Sequence, residues 1–121
     1  MLFRSAEYYL TQIVSHLDID PVKRFIDETH RRNVGLPGMF GVFYYRSASV
    51  KTLQTLRQFL PVPVEGLTRE FSEGATPVDI CARTLRALME AGARHFYISN
   101  LPLNGTAATL GAILEKVGVA A

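Results

Sequence analysis

Between Ala93 and Thr106 the chain reads ARHFYISNLPLNGT, which brings His95, Tyr97, Ser99 and Asn100 together where a strand-like run meets a loop. Strand alternation puts His95, Tyr97 and Ser99 on one side and Phe96 and Ile98 on the other. Ring, hydroxyl and amide groups of this kind hold a flat heteroaromatic ligand: an amide offers a paired donor and acceptor, and a phenol adds a stacking face. Gln12, at the end of another strand-like run, supplies the same amide chemistry. These residues form a binding wall and not a complete catalytic set.

Other candidates are weaker. Glu65 at a strand end is expected either to have a raised pKa and act as acid or base, or to be a loop carboxylate paired with Arg69. His16, His30 and His95 are scattered and read as surface or hydrogen-bonded core groups. Metal ligation would need partners that the spacing does not provide. Neither glycine-rich phosphate loops nor nucleophile elbows nor zinc-protease signatures occur.

Four strand–helix units are expected to position these groups. EYYLTQIV (Glu7 to Val14) has the aromatic and β-branched content of a buried strand. A helix follows, with Asp20 as N-cap, Pro21 in the first position and basic residues before Asn33. VGLPGMFGVFYY supplies a second strand, and SVKTLQTLRQFL a helix capped by Ser49 with Val50, Leu53, Leu56 and Leu60 in a stripe. VPVEGL is read as the third strand and TREFSEGA as a charged loop. A helix capped by Thr76, started by Pro77 and closed by Gly92 comes next, with Asp79 completing a capping box. HFYIS is the fourth strand, and TAATLGAILEKVG its helix.

Strands alternating with helices imply crossovers and a parallel sheet. The expected fold class is therefore α/β, either a small open sheet or half of an eight-stranded (β/α) barrel, whose full length is about 250 residues. With 121 residues the chain holds one domain, expected to span residues 1–121. Its 13 basic and 11 acidic residues are interleaved, which argues against a surface that tracks nucleic-acid phosphates. The lone Cys81 excludes an intrachain disulfide and falls on the apolar face of a helix. Without a leader or an apolar run of spanning length, the expected protein is soluble and cytoplasmic.

EYYLTQIVSHLDIDPVKRFIDE, LPGMFGV and HFYISN occur in the order and at about the spacing seen in the second half of methylenetetrahydrofolate reductase. The chain resembles that family over nearly its whole length. The resemblance implies strands five to eight of a TIM (β/α)8 barrel, and a flavin enzyme that moves hydride from NAD(P)H to 5,10-methylenetetrahydrofolate to give 5-methyltetrahydrofolate. It places the family's ligand-contacting glutamine on Gln12 and its last-strand tyrosine on Tyr97. Ser99 and Asn100 then complete the expected substrate-binding group. FAD and NAD(P)H are cofactors by this resemblance only.

Departures accompany it. Met39, Phe40 and Gly41 follow the Pro-Gly pair where the family usually has proline two residues after its isoleucine, and Leu101 stands where arginine often follows the asparagine. The family's catalytic glutamate and most flavin contacts lie in the other half of the barrel. The chain alone is therefore expected to be inactive, either as part of a longer protein or as one partner of a split barrel. The alternative is a non-catalytic half-barrel that assembles with itself or with a partner.

Overall fold

The computed structural model describes residues 7–118. Three of the expected strands form: β1 (Tyr9–Ile13), β2 (Gly38–Phe43) and β3 (His95–Ser99). They pair in parallel in the order β1-β2-β3. A 3-10 turn (His16–Asp18) leads into α1 (Asp20–Arg31). Between β2 and β3 lie α2 (Val50–Arg57), α3 (Val64–Ser72) and α4 (Pro77–Glu90), and α5 (Thr106–Val117) follows β3.

The expected third strand is absent, so the four consecutive βα units reduce to a three-stranded α/β sheet. VPVEGL is instead the entry to α3, and TREFSEGA is largely its body. The prolines explain this. Pro61 and Pro63 would both withhold their N–H from the same neighbouring strand. The chain makes two tight turns instead, with the Val62 N–H bonded to the Leu60 carbonyl at 2.8 Å and the Val64 N–H to the Val62 carbonyl at 3.0 Å. From Val64 onward, apolar Val64, Leu67 and Phe71 recur at helical spacing.

Elsewhere local rules act as expected, with one shift. Thr76 and Asp79 make the reciprocal capping box of α4, Ser49 caps α2, and Gly92 turns the chain out of α4 at φ +107°. Asp20 does not cap α1; it is the first helical residue, entered through the 3-10 turn that Ser15 caps.

The main core lies on one face of the sheet. Phe40, Val42 and Tyr44 pack there with Val22 and Ile26 of α1, Cys81, Leu85 and Leu88 of α4, and Ile113 of α5. A second cluster, beyond the carboxyl end of β2, joins Tyr45 and the half-buried Phe43 to Leu53, Val62, Val64, Leu67 and Ile80. Leucine-sized side chains buried this fully each contribute roughly 1.5–3 kcal/mol.

Candidate functional site

The sheet's other face carries the candidate residues in rows set by register. Leu10 pairs with Met39 and Met39 with His95; Ile13 pairs with Gly41 and Gly41 with Tyr97; Phe43 pairs with Ser99. Laterally paired residues of parallel strands point to the same side, so these rows line one surface. Leu10 is 60% exposed there.

A bulge re-aims β1. Between Leu10 and Ile13 it advances three residues while β2 advances two, which leaves one residue without a partner. The Thr11 hydroxyl fills the gap: it accepts from the Gly41 N–H at 3.1 Å and donates to the Gln12 carbonyl at 2.7 Å. The Thr11 carbonyl, turned out of the ladder, accepts from the Tyr97 phenol. The ring of Tyr97 therefore crosses β2 above Gly41. A Cβ on Gly41 would stand 2.6 Å from the phenol oxygen and 3.2 Å from the Gln12 carbonyl.

The structure thus brings Tyr97 and the Gln12 backbone carbonyl to the same patch, around Gly41, while Gln12 as a whole is exposed. Ser99 and Asn100 lie farther along, at the carboxyl end of β3. The Ser99 carbonyl accepts from the Tyr44 N–H at 2.9 Å. Asn100, at φ +73°, donates its amide to the Tyr44 carbonyl at 3.0 Å and accepts from Arg46 at 2.6 Å. Asparagine is among the few residues that adopt this backbone region readily, and here its side chain ties the ends of β2 and β3 together.

Glu65 corrects an expectation. It lies in the first turn of α3, paired at 3.4 Å with Arg57 and not with Arg69. Its own backbone N–H, then the Arg57 charge, hold its pKa below the ordinary carboxylate value and not above it. Cys81 is buried in the main core, and burial pushes its thiol up to about 12, so it stays un-ionised at neutral pH.

Sequence spacing did not reveal a half-buried polar cluster. His16 stands 2.9 Å from the Thr84 hydroxyl through Nδ1 and 2.8 Å from the Glu70 carboxylate through Nε2, and Arg83 donates to Glu70 at 2.7 Å. Burial pushes Glu70 up, but the hydrogen bonds from Arg83 and His16 outweigh it and leave its pKa lowered. An ionised carboxylate only accepts, so Nε2 carries the proton. Hydroxyl, imidazole and carboxylate in series are the order used by activated nucleophiles. Thr84, however, is 4% exposed on the packed side of α4, which denies its hydroxyl to a substrate. The cluster fastens the turn after β1 to α3 and α4. His16 was expected as a surface or hydrogen-bonded core group and Glu70 fell within the expected charged loop TREFSEGA, but nothing in their spacing pointed to Thr84.

A cleft of about 410 Å³ opens at the carboxyl end of β1, between Ile13–Ser15 and the Leu60–Pro63 connector, with Asp18 and Arg57 among its lining residues. Gln12, Tyr97, Ser99 and Asn100 do not line it. Among the described residues no group of three or more His, Cys, Asp or Glu side chains is placed to hold a metal ion, and no helix is long and apolar enough to cross a membrane. Compared with known proteins, the chain matches no family model, no curated protein and no solved structure.

Proposed function

We propose that the chain is part of a (β/α) barrel like that of the methylenetetrahydrofolate reductase family it resembles, and that it contributes one wall of a pocket for a folate and NAD(P)H. One observation carries this reading. Three parallel strands stand in sequence order with the main core on one face, while the other face presents Leu10, His95, Tyr97 and the bulge at Gln12. Sequence-ordered parallel strands are the repeating unit of such barrels, and the exposed face is the one a barrel turns inward.

In this reading Gln12 gives the paired amide contacts and Tyr97 a stacking surface, held flat by its bond to Thr11. Asn100, bonded to Tyr44 and Arg46, shapes the rim and keeps its amide oriented. When bound, a flavin would relay hydride between NAD(P)H and the folate. The family's flavin contacts and catalytic glutamate belong to the half-barrel this chain does not resemble, so the chain acts only with completing strands.

The test is titration of a reduced folate against the chain mixed with the first half of a family barrel, read by quenching of tyrosine fluorescence. Gln12→Ala should weaken binding about tenfold, the loss of one to two hydrogen bonds. A mixture that binds neither folate nor NADH removes the proposal.

A second reading, a non-catalytic half-barrel, is favoured by a separate observation: the Tyr97 phenol and the Asn100 amide already bond within the chain. In that case the mixture should assemble and bind no folate.

A further inference from the structure

The outer edge of β1 is poorly protected. Among the described residues β1 pairs with β2 alone, which leaves backbone N–H and C=O groups on its other side without a ladder partner. No charged residue and no proline occurs from Tyr8 to Ser15, so of the devices that commonly blunt natural edges β1 carries only its bulge. The other outer edge differs, because β3 is led in by the exposed Arg94 and His95.

Apolar side chains stand exposed around the β1 edge: Tyr8 at 54%, Leu10 at 60%, Phe25 at 43% and Val34 at 45%. Between β1 and α1 a groove of about 300 Å³ is lined by Leu10, Val22, Phe25 and Phe40. An adjoining groove is bordered by Glu28, Arg32 and Val34.

We propose that this edge is a dimer interface, in which β1 of a second copy of the chain pairs antiparallel with β1 across a two-fold axis. Unpaired main-chain donors and acceptors call for an extended strand, and alternate side chains of that strand would enter the flanking grooves. A two-fold contact requires only that the surface complement itself. The uncharged run meets this requirement, since two copies bring no like charges face to face. The rim of α1 meets it as well. Glu28 and Arg32 lie one turn apart along the groove, so an axis passing between them sets carboxylate against guanidinium in both directions. Pairing would cover Leu10 and Phe25 and leave the second edge free.

This inference does not rest on the folate reading. A chain that dimerises alone, and that binds neither folate nor NADH when mixed with the completing half-barrel, keeps the first and removes the second. A completing half-barrel would need the same edge, so the two occupants exclude one another.

Sedimentation equilibrium over about two decades of concentration should show the 13.4 kDa chain approaching twice its mass. Leu10→Lys should weaken the dimer at least tenfold while keeping the far-ultraviolet spectrum. Because a charge at the edge can also disturb β1, a second variant reads proximity directly. Leu10→Cys chains should oxidise to covalent dimers, whereas Leu103→Cys chains, altered at a site 94% exposed but remote from β1 in sequence, should not. Three results would overturn the proposal: a monomer at every concentration, equal cross-linking at both positions, or β1 amides that become protected from exchange only when a completing half-barrel is added.

Discussion

Tyr97, Gly41 and Thr11 form a dependency that no one of them reveals alone. The phenol reaches Thr11 only because Gly41 has no side chain and the bulge turns the Thr11 carbonyl outward. Gly41→Ala should cost about 1–3 kcal/mol in urea unfolding, the range for overpacking, and less in a Tyr97→Ala background. An undiminished cost would mean that the added methyl clashes with backbone instead. Thr68 gives the opposite case, since its hydroxyl is buried without a partner. Thr68→Val keeps the shape and removes the desolvated group, so it should be neutral or stabilise by up to about 1 kcal/mol. Glu70 sets an acid limit. Folding holds its carboxyl below the ordinary value of about 4.3, so its bonds to His16 and Arg83 contribute fully above that pH and are lost as pH falls through the lowered value. Stability should decline on acidification below about pH 4.3, and Glu70→Gln should flatten that limb.

Among the elements, α3 and α4 show how local chemistry competes. Val62 and Val64 favour a strand, but the alternate prolines remove two donors from one side of it. The following residues can bury Val64, Leu67 and Phe71 only as a helix. α4 carries the strongest start signal in the chain, and its capping box places Asp79 beside Lys116 of α5 at 3.1 Å. The Thr76 backbone N–H, then the Lys116 side chain, push the Asp79 carboxyl down to about 2. Thr76→Ala should cost about 1 kcal/mol, seen as a lower urea midpoint with an unchanged slope. A change in slope would instead signal that α4 no longer folds with the rest.

For the whole molecule, the governing feature is a sheet with its main core on one face. Most parallel sheets are covered on both, and among the described residues the three strands leave two edges as well. The proposed pocket and the proposed dimer are two ways of covering what remains, and they predict different behaviour. A completing half-barrel should protect the amides of both β1 and β3 from exchange, whereas a second copy should protect β1 alone.

The sequence by itself determined most of the local structure. Strand composition marked Tyr9–Ile13, Gly38–Phe43 and His95–Ser99, and cap residues marked α2 and α4, because those preferences act over three or four residues. Alternation also foresaw that Tyr97 and Ser99 share a side apart from Phe96 and Ile98. Only the tertiary structure decided that VPVEGL is helical, that β1 carries a bulge under Tyr97, that Asn100 is bonded at both ends of its amide, and that Thr84 joins His16 and Glu70. Each of these depends on which groups meet across many residues of chain, and short-range propensity holds no record of that.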